Sequence, residues 1–255
     1  MLARALVISL DMHTIALLTD FGDSEYVGIM KGVIAMNANV PVNVIDITHN
    51  IKCQCVLQAS WVLSTAIPYF PQDTVFVCVV DPGVGGERAG VIIETRTVTL
   101  IGPNNGIFTH ALRMHGLEIV RIRELSTCGA SHTFHGRDVF AVAAAKYVSC
   151  EEVSCTGGSV EAVVLGDTHG LVIVSIDHFG NLITDKSIEV KEVHRVIVRG
   201  KEYPAMYVST YEEGEKKGSE VVVLKGSNDT IEVSVVKGSA ASLMGCQIGD
   251  EIKID

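Results

Sequence analysis

The sequence segment Asp81-Pro82-Gly83-Val84-Gly85-Gly86-Glu87-Arg88 puts a carboxylate and a guanidinium at the two ends of one glycine-rich loop. Such a pair is either a structural ion pair or a charged pair that handles a reacting group, and spacing alone leaves both open. It is not a phosphate loop. The G-x-G-x-x-G spacing is absent, no Gly-Lys-Ser/Thr follows, and the loop leads into a strand instead of the helix N-terminus that holds a pyrophosphate. A second polar segment, Thr133-Phe134-His135-Gly136-Arg137-Asp138, sets a histidine beside a glycine that permits close backbone approach by a ligand. Asp138 is read as the N-cap of the helix that follows. His132 and His135 at i, i+3 are the alternative, a metal pair, but no acidic or Cys partner lies near them in sequence. Asp177-His178-Phe179-Gly180-Asn181 offers a carboxylate, an aromatic face and an amide at one strand end. That set suits a cationic ligand with a planar base, and equally a plain turn. Gly226-Ser227-Asn228-Asp229 reads as a hairpin turn. No Gly-x-Ser-x-Gly elbow supports a serine hydrolase.

The elements that must position these residues fall into two textures. Residues 14–19, 42–47 and 74–80 read as strands, and 26–37 and 56–66 as helices, a β-α-β-α-β alternation that implies a largely parallel sheet. Ligands of such sheets lie beyond the carboxyl ends of the strands, which here places Asp20, His49 and Asp81 along one rim. Strands at 90–95 and 97–101 and helices at 107–115 and 138–148 complete this part. Beyond about residue 160, short valine-rich strands recur at 170–176, 193–198, 218–224, 230–236 and 251–254, with turns at Gly200, Gly214, Gly226 and Gly249 and no convincing helix. The expectation is an α/β N-terminal domain over 12–160 and a smaller all-β C-terminal barrel over 168–255.

Composition narrows the function classes. The 255 residues carry 30 acidic and 20 basic side chains, a net charge of −10, which is not the footprint of a general nucleic-acid binder. A hydrophobic content of 47% excludes a disordered tail, and no apolar stretch is long enough to span a membrane. Seven cysteines, an odd number, fit a reducing cytoplasm better than a disulfide framework. Cys53 and Cys55 lack the second pair a zinc site needs, so no metal is expected, and Cys78 reads as a small core residue. The apolar run at 5–10 is too short for a secretory leader, and Met12 is an alternative start.

Taken in order, Thr19-Asp20-Phe21-Gly22 with Tyr26-Val27-Gly28 and Lys31-Gly32, the 81–88 loop, Pro103-Asn104-Asn105-Gly106, the 134–138 segment, Asp177 with Phe179-Gly180-Asn181, and Gly238-Ser239-Ala240-Ala241 with Gly249-Asp250 form one pattern. Over about residues 14–254 the chain resembles the S-adenosyl-L-methionine hydroxide adenosyltransferases, relatives of the fluorinase and chlorinase. The resemblance implies a homotrimer whose ligand lies between one subunit's N-terminal domain and a neighbour's C-terminal domain. It implies in-line attack of water or hydroxide at the ribose C5′ of S-adenosyl-L-methionine, giving adenosine and L-methionine without a cofactor. By matching motifs, Asp81, Arg88 and His135 correspond to the catalytic water-handling set and Asp20 to the ribose ligand. Asp177 corresponds to the ligand of the methionine ammonium. Tyr26, Asn105, Phe179, Asn181, Ser227, Asn228 and Ala240 complete the implied substrate-binding set.

A sulfonium leaves easily, so the task is to align a weak nucleophile opposite sulfur, with His135 read as the general base. Two other functions stay in view: a halogenase of the same family, and a non-catalytic module that binds S-adenosyl-L-methionine or adenosine. The halogenase branch lacks the Asp, Arg and His-Gly at these positions and carries an extra loop after the glycine turn. A pure binder has no need of a water site. In three places the sequence departs from the family pattern: the Asp20–Tyr26 segment is one residue shorter than usual, with Glu25 where an Asp is common, Asn104 stands where many hydrolases have Asp, and Gln54 where an aromatic often lies near the ribose.

Overall fold

The computed structural model describes residues 12–168, 170–189 and 192–255, and the apolar run at 5–10 lies outside them. The chain divides into two compact units at Val164/Leu165.

The first unit is built on β1 (His13–Thr19), α1 (Glu25–Asn37), β2 (Val42–Thr48), α2 (Val56–Ala66), β3 (Val75–Val79), β4 (Gly90–Thr95), β5 (Thr99–Pro103), α3 (Thr109–Met114), β6 (Ile119–Leu125) and α4 (Val142–Val148). Its sheet runs β2-β1-β3-β5-β4-β6. The pairs β1/β2, β1/β3 and β3/β5 are parallel, while β4 is antiparallel to β5 and β6. The central strands are apolar on both sides because both faces are covered. Ile15, Leu17, Val75, Val77 and Val79 pack with Met30, Ile34, Ala144 and Ala145 of α1 and α4. Ala16, Leu18, Phe76, Cys78 and Val80 pack with Ala59, Leu63 and Ala111 of α2 and α3. Cys78 is fully buried, and burial pushes its thiol pKa up, so it is an inert core residue. The edge strand β6 has no counterpart in the sequence reading, since its charged residues Arg121, Arg123 and Glu124 mask the strand pattern.

The helix expected over 138–148 starts two residues earlier. Gly136–Ala141 forms a π-helical turn that runs into α4, with His135 at the cap position. Asp138 is therefore not the N-cap. It lies inside the first turn, where its carboxylate accepts from Arg137 Nε (2.6 Å) and from the backbone N–H of Ser131 (2.9 Å). Arg137 holds that carboxyl below its ordinary pKa.

The second unit comprises β7 (Leu171–Ile176), β8 (Leu182–Thr184), β9 (Arg195–Val198), β10 (Lys201–Tyr207), α5 (Tyr211–Lys217), β11 (Val221–Lys225), β12 (Ile231–Val235), α6 (Ala240–Met244) and β13 (Glu251–Ile254). The strands close into a barrel in the order β10-β11-β12-β8-β7-β13-β9. Its interior is filled by Leu171, Ile173, Val196, Val198, Val221, Val223, Ile231 and Val233. The barrel carries two short helices that the sequence reading did not give. One has a topological cause: β10 and β11 are parallel, parallel neighbours need a crossover, and α5 supplies it. Gly214 accordingly lies within α5 and not in a turn, with its α-carbon against Val222.

Candidate active site

In the first unit, three loops bring the charged residues together. Strand β1 ends at Thr19 and β3 at Val79, and the two are paired in register, so Asp20 and Asp81 leave neighbouring strand ends. The 81–88 loop turns back into β4 through Gly85, whose φ is +74°. A β-carbon on Gly85 would stand 2.1 Å from the backbone oxygen of His132. Only glycine lets the two loops touch, and that contact carries His135 to Arg88.

The resulting cluster is tightly specified. Arg88 Nε donates to Asp81 Oδ1 (2.8 Å) and Arg88 Nη2 to Asp81 Oδ2. The same Nη2 lies 2.8 Å from His135 Nδ1. A guanidinium can only donate, so Nδ1 is the acceptor and a neutral His135 carries its proton on Nε2. The side chains are 11% (Arg88) and 5% (Asp81) exposed. His135 is 4% exposed. The Arg88 guanidinium also lies 5.5 Å from the centre of the Phe140 ring. Its Nη1 is buried and makes no hydrogen bond among the described residues. Burial, then the Arg88 charge, lower the His135 pKa against the opposing pull of Asp81 and Asp138. The ring is therefore neutral near pH 7. Chemically the arrangement is a buried cationic N–H donor with no acceptor among the described residues.

Around this cluster, Phe21, Tyr26 and Phe134 form a mutually edge-on trio with centroids 5.0–6.0 Å apart, and Tyr26 is 45% exposed. Asp20 Oδ2 accepts the backbone N–H of Gln54 at 2.7 Å, with Gln54 in the left-handed region at φ 62°. The position where an aromatic was expected thus acts through its main chain. Asn105 ties strands together: its Nδ2 donates to the Val80 carbonyl (2.9 Å), next to Asp81. Asn104 is buried, donates to Glu161 O and accepts from Val163 N, both at 2.8 Å. It uses a donor and an acceptor at once, which an aspartate could not.

In the second unit, a groove of about 970 Å³ is lined by Asp177, Phe179, Asn181, Ser227 and Ser239, among others. The Asp177 carboxylate organises the turn: Oδ1 accepts from the N–H groups of Phe179 and Asn181, and Oδ2 from Asn181 Nδ2, all at 2.9 Å. Gly180, at φ +85°, passes so close to Ser239 that a β-carbon would lie 2.0 Å from its Oγ. Asn181 is buried, while Phe179 is 74% exposed. Gly226 to Asp229 connect β11 and β12, with Gly226 N–H bonded to Thr230 O at 2.8 Å. Ala240 is fully buried in the barrel core, so only its backbone is available to a ligand. Asn228 is half-buried and not among the lining residues.

Among the groove residues that the sequence reading missed are Tyr211 and Glu232. The Tyr211 hydroxyl donates to Glu232, whose Oε1 also accepts from Ser234 Oγ at 2.9 Å. Burial and that carboxylate push the Tyr211 pKa up to about 12. Nothing local to Thr210-Tyr211 signals this, because it depends on where the crossover helix α5 sets Tyr211 against Glu232 of β12. Among the described residues no group of three His, Cys, Asp or Glu side chains could hold a metal ion, and no helix is long and apolar enough to cross a membrane.

Comparison with known proteins gives one family for both units. Residues 15–157 match the SAM hydroxide adenosyltransferase N-terminal domain and residues 171–253 the C-terminal domain of the same family. The (R)-S-adenosyl-L-methionine hydrolase of Methanocaldococcus jannaschii is 36% identical over 95% of this chain and 96% of its own. That of Thermus thermophilus is 33% identical over 95% and 100%. A crystal structure of an uncharacterized conserved protein from Thermotoga maritima superposes with a TM-score of 0.81 at 31% identity, covering 94% of this chain and all of that one.

Proposed function

The chain belongs to the SAM hydroxide adenosyltransferase family, and from that premise we propose that it is an enzyme that hydrolyses S-adenosyl-L-methionine to adenosine and L-methionine. The observation that carries the reading is Arg88 Nη1, a buried cationic donor without an acceptor among the described residues, next to Asp81 and His135. Such a donor stabilises an oxygen that is becoming, or has become, hydroxide. His135, with Nδ1 engaged by Arg88 and its proton on Nε2, meets that oxygen as a second donor; in this reading that role replaces the general-base role expected of it, because neither ring nitrogen has a lone pair free to take a proton. The oxygen attacks C5′ in line, the C5′–O bond forms, and the C5′–S pair leaves on sulfur, which becomes neutral. One proton is released to solvent for each turnover. Because the sulfonium needs no protonation to leave, the protein's task is alignment and charge stabilisation.

In this reading Asp20 and Tyr26 border the ribose, and Asn105 holds the strand end that carries Asp81. The groove residues Asp177, Phe179, Asn181, Ser227 and Asn228, with the backbone of Ala240, receive the rest of the substrate. The protein acts as a homotrimer in which a neighbouring copy completes each site. It works in the cytoplasm, a placement supported by seven free thiols.

Incubation with S-adenosyl-L-methionine in ¹⁸O-water, with and without chloride, tests the reading. Adenosine labelled at the 5′-oxygen and methionine in equal amounts, indifferent to chloride, are expected. Unlabelled adenosine, a halogenated nucleoside, or bound but unconsumed substrate would overturn it. Light scattering that gives any mass other than three chains would overturn the trimer.

A further inference from the structure

His49 belongs to the polar rim, yet the chemistry above gives it no task. It follows β2 and stands beside the end of β1, with its side chain 14% exposed. Its backbone carbonyl accepts the N–H of Gly22 at 2.7 Å. Ring Nδ1 is 2.9 Å from Thr19 Oγ1, and the same oxygen accepts the N–H of Phe21 at 3.2 Å. Nε2 lies 3.1 Å from Asp46 Oδ1, while Asp46 Oδ2 accepts from Lys31 Nζ at 2.6 Å. Thr19 is fully buried.

The Thr19 oxygen accepts the Phe21 N–H, so its own proton is free to go to His49 Nδ1 when the ring proton sits on Nε2, the tautomer favoured by the Asp46 carboxylate 3.1 Å away. Residues 19, 21 and 22, on both sides of Asp20, are thereby tied to one histidine. Asp20 itself is anchored through Oδ2 by Gln54, so Oδ1 is the oxygen that the turn presents to a ligand.

We propose that His49 is a positioning residue of the nucleoside site: through the Thr19 hydroxyl it fixes the turn that aims Asp20. The inference rests on the reading of Asp20 as the ribose ligand. Ribose hydroxyls gain no charge on the way to the transition state, so a loosened Asp20 weakens ground and transition states alike. The loss appears in KM and not in kcat.

Two substitutions separate the ends of the ring. In His49→Asn the amide reaches the place of Nδ1 and keeps the Thr19 contact. In His49→Gln it reaches the place of Nε2 and keeps only Asp46. His49→Gln is expected to raise the adenosine Kd and the KM for S-adenosyl-L-methionine about three- to tenfold, the worth of one hydrogen bond. His49→Asn is expected to stay within about twofold of wild type by the same measure. Amide hydrogen exchange at Phe21 should accelerate in His49→Gln alone. Equal behaviour of the two variants in both measurements, or an unchanged Phe21 amide in His49→Gln, would overturn the proposal. The exchange arm needs no turnover. A wild-type protein that left S-adenosyl-L-methionine intact would sink the hydrolase reading, while Phe21 exchange would still decide the clamp.

Discussion

The charged cluster of the first unit and the groove of the second solve different physical problems. Asp81, Arg88 and His135 are almost wholly enclosed, and each fixes the next by hydrogen bonds before any ligand arrives. In the groove, the Asp177 carboxylate spends its oxygens on its own turn, and the residue it presents, Phe179, is 74% exposed. A buried charge must be paired to be tolerated, so in the proposed reading the cluster carries stability and chemistry in the same atoms. In that reading the exposed ring on its self-contained turn carries recognition alone. Substitutions should therefore couple folding to activity in the first region and separate them in the second.

The sharpest break of that comparison is Arg88→Ala. It strands the Asp81 carboxylate, removes the acceptor-seeking Nη1 and leaves His135 Nδ1 without its donor. Loss of one buried ion-pair partner typically costs about 3–5 kcal/mol, and loss of a charge-stabilising donor lowers kcat by about 10²- to 10³-fold. Denaturant melts and single-turnover kinetics would measure both. A variant as stable as wild type, or one that retained its kcat, would contradict the coupling. Arg88→Lys keeps the charge but cannot make the two-pronged contact with Asp81 and also reach His135, so it is expected to fall nearer to Ala than to wild type.

Phe179→Ala is the counterpart in the groove. Truncating a ring this exposed should leave stability within about 0.5 kcal/mol of wild type. Stacking of an aromatic on a base is worth about 1–3 kcal/mol, so KM should rise roughly tenfold or more with kcat retained. A fall in kcat without a rise in KM would place Phe179 in the chemistry and remove the distinction between the two regions.

The two regions also differ in how far the sequence disclosed them. Helix α2 is read with the bounds it has, Val56–Ala66, because its apolar rhythm is local and uninterrupted. The strand ends that carry Asp20, His49 and Asp81 follow from the same local patterns. What is non-local is not legible. Arg88 and His135 are 47 residues apart, and their contact depends on Gly85 touching the His132 backbone, an approach that no periodicity encodes. Tyr211 and Glu232 meet only because a parallel pair, β10 and β11, demands a crossover helix. A valine-rich series of strands does not say which neighbours run parallel. Strand β6 is hidden for another reason: as an edge strand it is protected by charges that weaken the alternation by which strands are recognised.

The smallest expected effect is also the most specific to the buried cluster. Burial and Arg88 lower the His135 pKa below its ordinary 6.5. The folded state thus binds this proton more weakly than the unfolded chain, so protonation favours unfolding. Stability from this group is complete above the unfolded pKa and is lost as pH falls from there through the lowered folded pKa. Protonation also puts a hydrogen on Nδ1, which then faces the Arg88 Nη2 donor instead of accepting from it. The acid limb of kcat should accordingly lie below pH 6.5 and coincide with a fall in melting temperature. In His135→Asn, which keeps an acceptor for Arg88 but has no proton to gain, this share of the stability loss should vanish while kcat stays low. The groove supplies the control: Phe179→Ala changes no group in the cluster, so both of its pH profiles should overlay those of wild type. A His135→Asn variant whose melting profile kept the full wild-type loss below pH 6.5 would show that the titration belongs to another group.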